Sequence, residues 1–258
     1  MTESDRGRRG FSDQDLSRLL ELLESADTVE LKLTVPDKGQ RSAVAALEMD
    51  PLDATLHQVY FFDTSDLLLN QNGVIARARR GQGREDDSVV KLRPVVPSEL
   101  ASDLRELPDF GVEVDAMPGG FVCSAALKKK YHRGRVKQAV SHERPAHSLF
   151  SKHQRAFFAQ HAPEGLGLDD LLTFGPITVL RLKFAPSGYG RRLVAELWAY
   201  PDGSRILELS TKCTPAEAFQ VAAQTRVFLD QRGIDLTGEQ QTKTTAALEF
   251  FARDLREE

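Results

Sequence analysis

Charged residues recur along this chain in pairs spaced two apart, each pair set among alternating apolar residues: Glu30/Lys32, Arg77/Arg79, Lys91/Arg93, Glu113/Asp115 and Arg181/Lys183. Side chains two apart on a β-strand point to the same face, so each pair presents its two charges side by side. Glu196 and Glu208 add carboxylates on either side of Pro201-Asp202-Gly203, a turn that predicts a hairpin. Cation pairs occupy some segments and carboxylates others, a tighter segregation than the mixed charges of a solvated sheet face. Gathered in one place, the Lys and Arg side chains would suit a compact polyanion. Left apart, the same pairs are the wet side of amphipathic strands, where Lys and Glu ordinarily sit.

The elements that would position them follow from periodicity. In 28–35, Val29, Leu31, Leu33 and Val35 alternate with Thr28, Glu30, Lys32 and Thr34, the signature of a strand with unlike faces. Similar patterns predict strands over 55–64, 74–80, 88–95, 110–117, 177–185, 192–200 and 205–213, with 74–80 and 88–95 forming an antiparallel hairpin across a glycine-bearing linker. Helical spacing and caps predict helices over 11–26, with Ser12 as N-cap, and over 97–107, 148–162, 215–231 and 242–253, with a helix or turn around 41–52. The segment 121–130 fits either helix or strand and ends in Lys128-Lys129-Lys130-Tyr131-His132-Arg133-Gly134-Arg135, where His132, Arg133 and Arg135 are expected to continue a solvated basic face. Residues 1–11 read as a flexible tail, 1–27 as tail plus short helix, and 28–258 as one domain in which 142–173 could be an inserted helical lobe.

Two arrangements satisfy this pattern. The charged faces can all turn to water. Alternatively, eight or so antiparallel strands can close into a barrel, with apolar faces outward under the helices and charged faces lining the lumen. Buried charges of one sign are costly, so a cationic lumen requires water, a polyanion or both to fill it. At 258 residues, with 41% hydrophobic and 28% charged residues, the composition is that of a soluble globular protein. The net charge of −4 speaks against a general nucleic-acid binder, whose phosphate contacts need a basic excess. The expected partner is small. No apolar run suits a membrane span and the charged N-terminus is not a secretory signal, so a cytoplasmic protein is expected. Cys123 and Cys213 lie far apart without metal-ligand spacing and are expected to be plain reduced thiols. Nothing in the sequence fixes the oligomeric state.

The same residues resemble the CYTH domain, or triphosphate tunnel metalloenzyme family, which includes thiamine triphosphatases, inorganic triphosphatases and class IV adenylate cyclases. Thr28-Val29-Glu30-Leu31-Lys32 resembles the ExExK signature with Thr for the first Glu. Phe61-Phe62-Asp63-Thr64 is similar to its Y-x-D-T segment and Ile75-Ala76-Arg77-Ala78-Arg79 to its L-R-x-R strand. Ser88-Val89-Val90-Lys91 loosely resembles L-T-L-K, Glu113-Val114-Asp115 resembles the mid-chain ExE, and Lys128-Lys129-Lys130-Tyr131 resembles K-x-R-Y. Ala195-Glu196-Leu197-Trp198 and Ile206-Leu207-Glu208-Leu209-Ser210 are similar to the final hairpin. The likeness spans about 28–233 and rests on the order and number of these motifs.

The resemblance implies an α+β fold: an eight-stranded antiparallel closed barrel surrounded by helices, with a charged lumen that binds a small triphosphate or polyphosphate. It implies Lys32, Arg77, Arg79, Lys91, Arg93, Lys128, Lys130, Arg181 and Lys183 as the phosphate clamp, with Lys243 as a C-terminal basic contribution. It implies Mg²⁺ or Mn²⁺ held by Glu30, Glu196 and Glu208, supported by Glu113 and Asp115, and hydrolysis resting on Glu30, Lys32, Glu196 and Glu208. Thr28 and Ser210 stand where the family has glutamates, which lowers the expected metal affinity because a hydroxyl supplies no charge. Three functions follow: a metal-dependent triphosphatase, a weakened polyphosphate- or nucleotide-binding module, and an adenylate cyclase.

Overall fold

The structure, a computed structural model, describes residues 12–235, 240 and 243–257; the expected tail over 1–11 lies outside the described residues. Nine strands form the molecule's centre: β1 (Thr28–Val35), β2 (Thr55–Asp63), β3 (Val74–Gly81), β4 (Asp86–Leu92), β5 (Phe110–Met117), β6 (Gly120–Tyr131), β7 (Leu172–Phe184), β8 (Leu193–Ala199) and β9 (Arg205–Cys213). They close in the order β1-β5-β6-β4-β3-β2-β7-β8-β9. The segment that fitted either helix or strand becomes β6 and supplies the ninth. Strand directions can alternate all the way round a ring only when the number is even, so nine strands require a parallel neighbour pair. That pair is β1 and β5, with Glu30 beside Asp115, and the expected eight-stranded antiparallel ring is corrected to this mixed one.

Helices cover the outside: α1 (Asp13–Glu24), α2 (Gln40–Ala46), α3 (Leu68–Gln71), α4 (Arg135–Val140), α5 (Lys152–His161) and α6 (Ala218–Gln231). Ser12 caps α1 through a reciprocal bond with Asp15, and Ser151 caps α5 likewise with Gln154, each satisfying amides that the first turn leaves open. The outward faces of β2, β3, β4 and β6 meet α4 and α5 in one apolar cluster that includes Phe62, Val90, Leu127, Phe150 and Phe157. Each such aromatic, fully buried, contributes about 1.5–3 kcal/mol. Other clusters seat α2 and α6 against β7, β8 and β9, and α1 against β5 and β6. Cys123 and Cys213 sit unbonded in the second of these, on the outer face of the barrel. Residues 97–107 form two short 3₁₀ turns instead of a helix, because Leu100 and Ala101 between them are extended; Leu104 is thereby turned onto the wall.

The last helix, α7 (Lys243–Glu257), does not lie on the outside. Its Ala247, Leu248 and Ala252 pack against Val59, Phe61, Ile75, Ile177, Trp198 and Ile206. Register places these strand residues on the inner face, level with Arg77, Arg79 and Glu196: Phe61 pairs with Arg77, Val59 with Arg79, and Trp198 neighbours Ile206. Charge therefore lines only part of the lumen, and α7 plugs the rest with apolar side chains. Among the described residues no helix is long and apolar enough to cross a membrane.

Candidate functional site

Residues directly opposite in a ladder share a face, so the strand registers assemble the lumen. Glu30 lies beside Asp115 on one side and Lys212 on the other. Thr28 lies beside Glu113, Lys32 beside Ser210, and Glu196 between Arg181 and Glu208. Arg77, Arg79 and Lys91 face the same interior from β3 and β4, with Asp87 opposite Arg79.

Around β1 the charges knit closely. Lys32 Nζ lies 2.7 Å from Asp115 Oδ1 and 3.3 Å from Glu30 Oε2. Arg93 approaches the other Asp115 oxygen at 3.4 Å, and both carboxylate oxygens are met as ion pairs without hydrogen-bond angles. Lys212 pairs with Glu113 and stands 3.9 Å from Glu30. The Ser210 hydroxyl donates to Glu30 Oε1 at 3.1 Å and the Thr28 hydroxyl to Glu113 Oε2 at 3.3 Å. Burial alone would lower the Lys32 pKa, but Asp115 and Glu30 outweigh it and hold the ammonium charged well above its ordinary value. Burial would raise Asp115, yet Lys32, Lys91 and Arg93 keep it below the usual carboxylate range.

Across the lumen, Glu196 and Glu208 share one cation. Lys243, from the first turn of α7, pairs with Glu196 and lies 2.7 Å from Glu208 Oε1, its ammonium 5.2 Å from the centre of the Trp198 ring. Glu196 also accepts from Arg181 Nε at 2.9 Å and Trp198 Nε1 at 3.2 Å. Burial is outweighed at Glu196 by Lys243 and Arg181, which hold it low; at Glu208 burial wins over Lys243 and Lys32, and its pKa is raised.

The remaining cations are less committed. Lys91 is pushed by burial down to about 8, with Asp115 opposing and Lys32 adding to the shift. Burial likewise disfavours the charged form of Arg77, whose buried Nε has no partner. Arg79 pairs with Asp87 at 2.6 Å. At the end of the lumen away from α7, Arg181 foremost, then burial and Arg79, Arg192 and Arg84, lower the Lys183 pKa, which marks a cationic mouth. Lys128 and Lys130 share the lumen face of β6, opposite Val89 and Asp87, but sit at its exposed end, where Lys130 meets Glu85 at 3.4 Å.

The five carboxylates assigned to metal binding thus fall into two groups. Glu30, Glu113 and Asp115 offer oxygens that all lie within 4.8 Å of one another. Opposite ligands of Mg²⁺ sit about 4.2 Å apart across the ion, so small movements bring three hard oxygen donors into range, and this group fits Mg²⁺ or Mn²⁺. Glu196 and Glu208 are instead committed to Lys243. Alternation in 205–213 sets Lys212 on the face of Glu208 and Ser210, though sequence reasoning gave it no role in the site, and it left Asp87 and His57 unassigned. Those two were legible by extending the period of two, from Lys91 through Val89 and from Phe61 through Val59. His57 Nδ1 is buried without a partner, and burial, with Arg79 and Arg181, pushes that imidazole down to about 4.

A closed barrel with helices around it and charged residues inside agrees with the fold that the CYTH resemblance implies. No family model and no curated protein matches the chain by sequence. Among solved structures, the chain is similar to a candidate adenylyl cyclase from Hippeastrum, described as revealing a dominant triphosphatase activity, with a TM-score of 0.63 and 17% identity over 85% of this chain and 93% of that one. It is also similar to a candidate adenylate cyclase from Bacillus halodurans, with a TM-score of 0.59 and 14% identity over 86% of this chain and 97% of that one. At these identities the likeness is one of fold: a closed β-barrel with helices around it.

Proposed function

We propose that the protein hydrolyses a small triphosphate with the help of Mg²⁺ or Mn²⁺. The observation that carries this reading is the convergence of Lys32, Arg77, Lys91 and Arg93 on a lumen that also holds Glu30, Glu113 and Asp115 within ligand range of one another. A polyanion would enter at the cationic mouth beside Arg181 and Lys183. Arg77 and Lys91, half-buried and without an ion pair among the described residues, gain most from its charge, since phosphate oxygens supply the acceptors that these groups lack. Lys32 is fixed in position by Asp115 and Glu30 and offsets charge that builds on the phosphoryl oxygens as the bond to the leaving group breaks. A divalent cation at Glu30, Glu113 and Asp115 would supply charge neutralisation and a more acidic water. Because every contact addresses phosphate, the clamp does not distinguish inorganic tripolyphosphate from thiamine or nucleoside triphosphates.

A second reading, a non-hydrolytic polyphosphate-binding module, is favoured by one specific arrangement: Lys243 holds both Glu196 and Glu208, while Ser210 and Thr28 place hydroxyls against Glu30 and Glu113. Incubation with tripolyphosphate, thiamine triphosphate and ATP, each with Mg²⁺ or Mn²⁺, separates the readings. Metal-dependent phosphate release is expected; tight binding without turnover would establish the module instead, and cyclic AMP as product would make the protein a cyclase.

A further inference from the structure

Outside the barrel, where β6 ends and α5 begins, a cleft of about 480 Å³ is lined by Tyr131, Arg135, His147, Ser148, Ser151 and Arg155. Arg135, expected on a solvated basic face, is instead half-buried, with its guanidinium 5.8 Å from the Tyr131 ring and one nitrogen donating to the Ser148 carbonyl at 3.1 Å. Its Nε and the Ser148 Oγ are buried at the wall without a hydrogen-bond partner. The Tyr131 hydroxyl lies beside Ser88, whose own hydroxyl donates to Gln154 at 3.1 Å and keeps lone pairs that can accept from it. Native proteins rarely leave two such groups unpaired in one place, because each costs a desolvation penalty that a bound partner would relieve.

Both can donate, and among the described residues no Asp or Glu lines the cleft, whose charged walls are Arg135 and Arg155. Arg155 is exposed and spends one nitrogen on the Phe150 carbonyl at 2.7 Å. The N-terminal end of α5, capped by Ser151, adds its positive dipole. Of the nearby acids, Asp169 accepts from the His147 amide and ring, while Asp86, beside Tyr131 in the ladder, accepts from the Val136 amide with one oxygen and keeps the other buried and unpartnered, outside the residues that line the cleft. We propose that this cleft is a second anion site, separate from the lumen, that takes the phosphate group of a small molecule. A tetrahedral phosphate has acceptors in several directions, which suits donors arriving from α4, the 146–149 turn and α5.

The test uses the full chain labelled with ¹⁵N. The Arg135 Nε–H resonance, identified by its loss in Arg135→Lys, is followed while inorganic phosphate and glycerol phosphate are titrated at matched ionic strength. A saturable shift with either anion, absent with chloride, is expected, and the tighter of the two names the source. Arg155→Ala should weaken this binding about tenfold while leaving tripolyphosphate binding in the lumen unchanged. Ser148→Ala, which removes no existing side-chain hydrogen bond, should weaken it several-fold and serves if Arg155→Ala does not fold. No saturation with either phosphate, an equal shift with chloride, or unchanged affinity in these variants would overturn the proposal.

Discussion

Glu30, Glu113 and Asp115 meet Lys32 and Lys212 from the barrel's own strands and Arg93 from just past the end of β4, whereas Glu196 and Glu208 share Lys243, delivered by a helix inserted into the lumen. The Lys212 side chain is 50% exposed and that of Lys243 13%. An exposed pair is worth little and exchanges readily. A buried one, once broken, leaves an uncompensated charge in the interior. In the first group Lys212 can therefore trade places with another cation at small cost while Lys32 and Arg93 stay fixed on the buried Asp115, whereas the second group is tied to the position of α7. Equal residue types on neighbouring strands thus differ in chemistry because of what faces them.

The largest effect should come from Lys243→Met. With its cation gone, the opposed Glu196 and Glu208 lose a shared partner, and stability should fall by about 3 kcal/mol or more in urea unfolding. The loss should shrink as pH falls: without Lys243 the Glu208 pKa, already raised in the folded state, rises further, and a raised carboxylate favours folding more at low pH. Equal loss at pH 5 and pH 8 would break the distinction between the two groups. Next, Glu30→Gln should lower metal-dependent phosphate release by about 10²–10³-fold with the melting temperature little changed, because it touches the exchangeable group. A full rate in that variant would remove Glu30 from the chemistry. The smallest effect concerns Lys91, whose pKa of about 8 makes it lose charge as pH rises through that value. A bound polyanion draws the proton back, so affinity for tripolyphosphate should fall several-fold between pH 7 and pH 9, and Lys91→Met should flatten this dependence in calorimetric titrations.

Much of this was legible from alternation alone. Thr28–Val35 and Arg205–Cys213 were bounded by their period of two, and the same period put Glu30, Lys32 and Glu208 on the charged faces, which closure of the barrel turns inward. What alternation cannot give is the count of strands or their neighbours. Gly120–Tyr131 is apolar on both faces through Ala125, Ala126 and Leu127, which erases the signal that separates strand from helix. The plug was hidden for a related reason. Val59-Tyr60-Phe61-Phe62 is apolar throughout, which marks burial on both sides but not the element that covers the inner one. Nor does sequence reveal that Lys243, one basic residue in a polar stretch, reaches two carboxylates.

The ring is sealed by its first and last strands. Ser210 donates to Glu30 across 180 positions of chain, within a ladder that runs from Val29↔Cys213 to Val35↔Leu207. Contacts so distant in sequence are slow to form, since the entropy of closing the intervening loop must be met first. On a ribosome β1 emerges early and must wait, one edge unpaired, until β9 has been made, and an unpaired edge is a template for another chain. The parallel strand β5 reaches β1 on its other side much sooner, so this unusual pairing holds the first strand in place, with its charges aligned, while the rest of the barrel is synthesised.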